Sequence, residues 1–508
     1  LGVIEPGTAQ AIDVLWDDPR LAPTTGRMRL DTLRRMARVF VPIVGRFVLC
    51  LVRPDLERER FLRWGESVVV SFEARSTAAT TLAARVTLLE DALDTTFRTL
   101  LPNFLPRMAA GMASLNLLRH LAASLPEGTH DALEMTRGLP HNVTTAMDLA
   151  LWATARAIKA DPSAAARFEG TDAATLAADY LAGRLPAAAQ SAMADFLRRY
   201  GMRGIAEIDL GRPRWRENPT PIIQVLQSYL RIEDAEQAPD IVFEHGAASA
   251  EAAIDRLAEA MRRTRWGWLK ARLVRWATRR MRALAGLRES PKFLAIRHMG
   301  IVRESLLDCG HELAATGVLA QPDDIFFLRL VELKALAAGE TRDWRALVAE
   351  RHQAYQREKL RRQVPRLLLS DGQAFYEGVS APAETGTGTE PGRSAGTEPG
   401  RGDGFLVGSP VSPGVVEGIV RVVLDPHSTQ LAPGEILVCP GTDPAWTPLF
   451  LVAGGLVMEV GGLMTHGAVV AREYGIPAVV GVHQATTRLK TGQRIRVDGS
   501  TGQIAILD

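Results

Sequence analysis

The sequence predicts a multidomain protein with a mainly α-helical large domain and a C-terminal α/β domain. Three observations carry this. Up to about residue 365 the apolar residues recur with helical spacing, in segments rich in Ala, Leu, Arg and Glu, and strand signals are few. Residues 370–404 are a Gly/Thr/Glu/Pro/Ser stretch in which Gly-Thr-Glu-Pro-Gly-Arg occurs at 388–393 and again at 396–401; such a composition builds no core and reads as a flexible linker. From 405 onward the pattern changes to short valine-rich runs between turns. The boundaries that follow are a helical domain at 1–369, a linker at 370–404 and a mixed domain at 405–508.

The bulk properties exclude several classes. A chain of 508 residues with 46% hydrophobic and 23% charged residues is ordinary for a globular protein. A net charge of +2 gives no global field pointing to nucleic acid. Cys50, Cys309 and Cys439 are widely separated and odd in number, so they supply neither a disulfide framework nor zinc spacing, and a reducing cytoplasm is expected. The most apolar run, 39–52, contains Pro42 and Arg46 and is too short to span a bilayer, so no membrane partner is expected. The sequence begins with Leu1 rather than methionine, as expected of a fragment or processed product.

Within the helical domain the clearest periodic segments are 77–98 and 250–285. Residues 262–282 hold nine Lys/Arg with Trp266, Trp268 and Trp276 and no acid. A helix that packs its indoles inward and leaves its arginines in water accounts for that segment. Cys309-Gly310-His311-Glu312 has no second ligand group with matching spacing, which favours core or cap roles; no metal site is expected. Arg288 and Lys292 are four apart, so on a helix they share a face and can clamp a phosphoryl group. Glu207, Asp209, Arg212 and Arg214 are expected to form buried ion pairs that hold helices together.

The C-terminal domain has clear strand signals at 415–424, 435–439, 478–482 and 494–497. Its most distinctive segment runs Gly461-Gly462-Leu463-Met464-Thr465-His466-Gly467-Ala468-Val469-Val470-Ala471-Arg472-Glu473-Tyr474-Gly475-Ile476-Pro477. Gly461 and Gly462 permit a tight turn and close ligand approach. Thr465 is placed to cap a short helix, Gly475 to end it, and Pro477 to stop it continuing. His466 would sit in the first turn, where unpaired N–H groups and the helix dipole favour an anion such as a phosphate on the imidazole. The same dipole disfavours imidazolium and leaves a neutral nucleophile.

Two runs, Thr442-Asp443-Pro444-Ala445-Trp446-Thr447-Pro448-Leu449-Phe450 and the glycine-rich run ending at Pro477, together resemble the swivelling phosphohistidine domain of the phosphoenolpyruvate-utilising enzymes. Three helical runs resemble the central domain of rifampicin phosphotransferases: the run from Gly138-Leu139-Pro140-His141-Asn142 to Trp152, the run from Phe196 to Trp215, and Leu287-Arg288-Glu289-Ser290-Pro291-Lys292-Phe293. The resemblance implies a phosphotransferase in which His466 carries the phosphoryl group. It implies that Gly461, Gly462, Thr465, Gly467 and Arg472 support the phosphate loop, and that Arg288 and Lys292 assist transfer. It also implies a small-molecule hydroxyl acceptor of the rifamycin kind, and ATP with Mg on an ATP-grasp domain supplied in cis or in trans, with neither bound by this chain. Gly2 to Ala9 resemble the segment that follows such a domain. Ala146 departs from the family, which carries an acid there. A stand-alone phosphocarrier and a non-catalytic binder of hydrophobic ligands are the alternatives.

Overall fold

In the computed structural model, the described residues are 30–125, 128–360, 367–368, 374–375, 405–424, 431–442, 446–450, 452–462 and 465–507. Side chains at 30–40, 129, 237, 367, 368, 374, 375, 447, 448 and 466 are not included in that description. The expected 370–404 linker lies outside the described residues except for Ala374–Phe375, and the segment Gly2 to Ala9 lies outside them entirely.

The helices before the C-terminal sheet are α1 (Leu30–Val52), α2 (Pro54–Ala78), α3 (Leu82–Asp94), α4 (Leu101–Ala122), α5 (Gly128–Glu134), α6 (Val143–Ala160), α7 (Pro162–Glu169), α8 (Ala173–Leu181), α9 (Ala187–Tyr200), α10 (Thr220–Leu230), α11 (Pro239–Arg262), α12 (Gly267–Leu284), α13 (Ser290–Ala315), α14 (Leu330–Ala337) and α15 (Trp344–Lys359). Local chemistry sets many of the starts. Asn142, Asp161 and Asp172 each cap a helix by accepting from a backbone N–H, at 3.0 Å from Thr144, 2.9 Å from Ser163 and 3.0 Å from Thr175. Pro54, Pro162 and Pro239 occupy first helical positions, where no N–H is needed.

The segment 77–98 is helical but broken. α2 ends at Ala78, the Thr81 hydroxyl caps α3, and a π turn at Thr95–Leu100 leads into α4. The segment 250–285 is a hairpin of two helices. Trp266 takes a left-handed conformation, φ 61°, and Gly267 passes so close to the end of α11 that a Cβ would lie 2.1 Å from the Arg262 carbonyl oxygen. Periodicity continues across such a turn, which contains no proline to mark it.

The expectation of inward-facing indoles is corrected here: Trp266 and Trp268 are 64% and 62% exposed. The buried face of α12 consists instead of Ala271, Val274, Ala277, Thr278 and Met281, mostly small residues that let neighbouring helices approach closely. Trp276 lies under the Arg280 guanidinium, 4.3 Å from the ring centroid.

Two apolar cores hold these helices. One joins Phe61, Phe72, Leu100, Phe104, Leu284 and Leu294; the other joins Trp152, Phe168, Phe196, Tyr200, Trp215 and Tyr229. His298 is buried in the first, against Phe72, with a ring-centroid distance of 4.9 Å. Burial, helped by Arg297, lowers its pKa to about 4. A base with a depressed native pKa is protonated preferentially in the unfolded state. The stability it permits is therefore full above pH 6.5 and declines by roughly 3 kcal/mol as the pH falls towards 4. Urea denaturation across that window should show this slope, and His298→Phe should remove it; an unchanged slope would contradict the assignment.

The C-terminal region adds β1 (Leu367–Leu368), β2 (Ala374–Phe375), β3 (Phe405–Val407), β4 (Ser409–Ser412), β5 (Val415–Val422), β6 (Ile436–Cys439), α16 (Thr447–Phe450), β7 (Gly455–Met458), α17 (His466–Tyr474), β8 (Ala478–Val480), α18 (Ala485–Arg488), β9 (Arg494–Asp498) and β10 (Gln503–Ile506). β1 and β2 pair with each other, and the other eight strands form one sheet in the order β3-β10-β9-β5-β6-β7-β8-β4. β5, β6, β7 and β8 are mutually parallel, whereas the flanking pairs are antiparallel. β6 and β7 are buried along their whole length. This is a mainly helical protein with a C-terminal α/β sheet domain, as the residue patterns indicate. The chain separates into two compact units, one formed by Leu33–Tyr355 with Asp443–Leu451 and one that includes Gln356–Thr442 and Val452–Asp508.

Candidate functional site

Parallel strands direct their carboxyl ends to one edge of a sheet, where loops and helix N-termini gather. At that edge β6 ends at Cys439 and leads to Thr442, while β7 ends at Met458 and leads through Gly461 and Gly462 to α17. The pairing continues past the strands. Glu459 N–H donates to the Cys439 carbonyl at 3.1 Å, and Val460 N–H to that of Pro440 at 2.9 Å. His466 is the first residue of α17. The nine-residue helix ends at Gly475, which is left-handed at φ 68°.

Thr465 occupies the N-cap position, but its side chain makes no cap hydrogen bond. Its hydroxyl donates back to the Gly462 carbonyl at 2.9 Å, which corrects the expected side-chain cap and tightens the glycine turn instead. The start of α17 thus carries no side-chain acceptor from its own cap residue, an arrangement suited to an external anion.

The glycines are required by close approach. A Cβ on Gly461 would lie 2.9 Å from Met458 Cε and 3.1 Å from Thr465 Oγ1. On Gly467 it would lie 2.5 Å from Thr442 Oγ1 and 2.7 Å from Met458 Sδ. Gly467 thereby seats the first turn of α17 against the ends of β6 and β7. Thr442, within the sequence motif but not singled out from it, belongs to the seat. Gly467→Ala is expected to destabilise the sheet domain by about 1–2 kcal/mol, overpacking outweighing the alanine's helix propensity. Thermal unfolding checks this; an unchanged or raised Tm would contradict the packing account.

Arg472 lies in the last turn of α17, only 1% exposed, and its Nη1 donates to the Val411 carbonyl at 3.0 Å. The Ser412 hydroxyl donates to the Ala471 carbonyl at 3.3 Å. These bonds fix α17 to β4 from behind, so Arg472 is placed to hold the helix and not at its N-terminal end.

Arg288 and Lys292 do not share one continuous α-helix. Arg288 belongs to the 3-10 turn Ala285–Glu289, and Lys292 to the first turn of α13. Each has an acidic partner: Arg288 Nη2 is 2.6 Å from Glu289 Oε1, and Lys292 Nζ is 2.9 Å from Glu207 Oε1. Glu207 is buried, and Arg203 grips it through two bonds of 3.1 and 3.0 Å. Burial alone would raise the Glu207 pKa, but attraction to Arg203 and then Lys292 holds it at about 2.

The expected pairing of Glu207 and Asp209 with Arg212 and Arg214 is corrected accordingly. Arg214 is buried but donates to the carbonyls of Glu207 at 2.6 Å and Asp209 at 3.4 Å. Asp209 is exposed and accepts from Gly211 N–H at 2.8 Å. Arg303 adds bonds to Glu217 and to the Leu210 carbonyl, so the 203–217 loop is pinned largely by arginines. Ala146, where the resembled family carries an acid, is exposed in the first turn of α6. Cys309 is buried in the helical core, where burial pushes its thiol pKa up, and Arg85 donates to its sulfur at 3.1 Å. No group of three or more His, Cys, Asp or Glu among the described residues is arranged to hold a metal. No helix among the described residues is long and apolar enough to cross a membrane.

The family matches place the chain among the phosphoenolpyruvate-utilising enzymes. Residues 431–502 match the family description "PEP-utilising enzyme, mobile domain", and residues 103–289 match "Rifampicin phosphotransferase fourth domain". The chain belongs to the rifampicin phosphotransferase-like family of these enzymes. Rifampicin phosphotransferase of Streptomyces sviceus is 39% identical over 378 residues, covering 73% of this chain and 41% of the relative. The Bacillus cereus rifampicin phosphotransferase is 36% identical over 377 residues, with the same coverage of each chain. The prodigiosin synthesizing transferase PigC of Serratia marcescens is 28% identical over 62% of this chain and 33% of its own length. The chain thus spans about two fifths of the length of the rifampicin phosphotransferases it matches. A solved structure, Thermococcus kodakaraensis aconitase X in its holo form, matches over 20% of this chain and 98% of its own at 25% identity, with a TM-score of 0.18.

Proposed function

We propose that the protein is a phosphotransferase that passes a phosphoryl group through His466 to a hydroxyl of a small-molecule acceptor held by the helical domain. The observation that carries this reading is the position of His466 at the start of α17, at the carboxyl edge of parallel strands and without a side-chain cap. A neutral imidazole nitrogen attacks the β-phosphorus of ATP, the α–β bridging P–O bond breaks and AMP leaves, and water cleaves the β–γ bond to release orthophosphate, leaving one phosphoryl group on the histidine. In the second step the acceptor oxygen attacks the same phosphorus, the P–N bond breaks, and the hydroxyl proton leaves to a base. The histidine divides one difficult transfer into two easier ones. Arg288 and Lys292 supply positive charge to the transferring group, and Glu207 holds Lys292 in place.

ATP with Mg is assigned to an ATP-grasp domain acting in cis or in trans, and a reducing cytoplasm suits three free, buried thiols. Residues 1–369 serve as the acceptor domain, 370–404 as the tether and 405–508 as the travelling carrier. A large apolar acceptor of the rifamycin kind is supported by an exposed apolar surface. Val41, Val44 and Val48 are exposed at helical spacing on α1, and Phe97, Leu101 and Leu105 on the segment leading through α4. Arg46 Nη1 joins the two segments by donating to Asn103 Oδ1 at 2.8 Å. Exposed apolar side chains at such spacing offer contacts to a ligand or partner.

The test uses ATP radioactive at the β-phosphate, with the chain alone and with an added ATP-grasp domain. Acid-labile label that requires the added domain and is discharged by rifampicin supports the reading. Absence of label on the chain with that domain present would refute the ATP relay, and label not discharged by any hydroxyl acceptor would leave a carrier without transferase activity.

A further inference from the structure

We propose that a cleft beside the loop 138–142 is a binding site for a small organic anion, a phosphate monoester or carboxylate with an apolar body. It stands independently of phosphoryl transfer through His466. The cleft lies within the helical unit, between the start of α2, this loop, α11 and α12, with a volume of ≈510 Å³.

The loop that forms one wall is held rigidly. Arg282 donates to the carbonyls of Met135 at 3.1 Å, Arg137 at 2.9 Å and Gly138 at 3.0 Å. Gly138 is left-handed at φ 53°, and a Cβ there would lie 2.5 Å from the Ala247 backbone nitrogen. On the other side, a Cβ on Gly286 would lie 2.2 Å from the Pro140 carbonyl oxygen. Between these clamps His141 is held at φ 64°, a conformation that costs a non-glycine residue on the order of 1–3 kcal/mol and that clusters at ligand sites. The loop presents the His141 imidazole and the Pro140 ring to the cleft.

The chemistry facing the cleft is rich in donors. Arg58, Arg275, Arg279 and Arg282 line it, opposed by three carboxylates. Asp55 is shared, accepting from Arg58 at 2.6 Å and Arg279 at 3.2 Å, while Asp255 accepts from Arg275 at 2.9 Å. Glu251 is 3.6 Å from Arg282, and Glu59, outside the lining, is 3.7 Å from Arg58. Arg282 is committed to the loop carbonyls, whereas Arg58, Arg275 and Arg279 each engage a carboxylate with part of their five N–H donors. The complement is an acceptor-rich head group, bound in the forked geometry that guanidinium gives to phosphate and carboxylate. Ile254, Pro140 and Ala283 supply an apolar wall. The space is ample for more than a bare oxyanion, and the wall gives an organic body a place to bind.

Phenyl phosphate is the probe, compared with inorganic phosphate and phenol by calorimetric titration of the full chain. Phenyl phosphate should bind at least about tenfold more tightly than either control, the scale of one charge-assisted bond or one modest apolar contact. Arg279→Ala, at an exposed position, should weaken it about tenfold, and Asp255→Asn should tighten it by freeing Arg275 donors. The His141 ring resonance should move on titration of the unaltered chain. No binding at millimolar probe, or equal affinity in the Arg279→Ala and unaltered chains, would overturn the proposal. Inorganic phosphate binding as tightly as phenyl phosphate would overturn the organic-body assignment.

Discussion

A chain carrying His466→Ala is expected to acquire no acid-labile label from β-labelled ATP in the presence of an ATP-grasp domain, and to lose acceptor phosphorylation by on the order of 10⁶-fold, the scale reached when a covalent nucleophile is deleted. The loss should fall on kcat. On the proposal that the helical domain holds the acceptor, the affinity for rifampicin should stay within about twofold of the unaltered protein. Stability should be little changed, because alanine is accepted at a first helical position and α17 is fixed elsewhere, through Gly467 at its start and Arg472 at its end. Mixing the His466→Ala chain with a second chain carrying Glu207→Gln tests whether carrier and acceptor domain work within one molecule or between two. Transfer retained by His466→Ala alone would end the phosphohistidine proposal.

What the sequence made legible is uneven, and the reasons are physical. The His466 helix could be read because local rules govern it: glycines before it, a left-handed glycine at its end, and Pro477 beyond. The two-domain division followed from a change of hydrophobic period. β7 was missed because Gly455–Met458 is buried on both faces, so neither alternation nor helical spacing marks it. The Thr465 hydroxyl was misread because it can either accept from a helix N–H or donate to a nearby carbonyl, and it donates to that of Gly462 without capping. The α11–α12 turn and its exposed indoles depend on which face of α12 is narrow enough to pack, a property of its neighbours. The partnership of Lys292 with Glu207 was hidden for the same reason, since a tertiary contact brings together residues far apart in the chain.

That contact leads to the second large effect. Glu207→Gln is expected to destabilise the helical domain by roughly 3–5 kcal/mol, because it leaves the buried Arg203 guanidinium without its counter-charge. The cost arises from the orphaned charge more than from the lost pair. The double substitution Arg203→Met with Glu207→Leu should therefore recover most of it, giving a strongly non-additive cycle. The pH dependence has a definite sign. A carboxylate with a depressed native pKa stabilises the fold above its unfolded value near 4.5 and loses that contribution as the pH falls towards 2. The unaltered chain should lose roughly 3 kcal/mol in this window, and the Gln variant should lack that component. Transfer separates structure from catalysis. If Glu207 positions Lys292, the stabilised double variant should still transfer poorly, with kcat reduced and acceptor affinity retained, and Lys292→Met should show the same kinetic defect without the loss of stability. Full kcat in the folded double variant would restrict Glu207 to a structural role and remove Lys292 from the transfer step as placed.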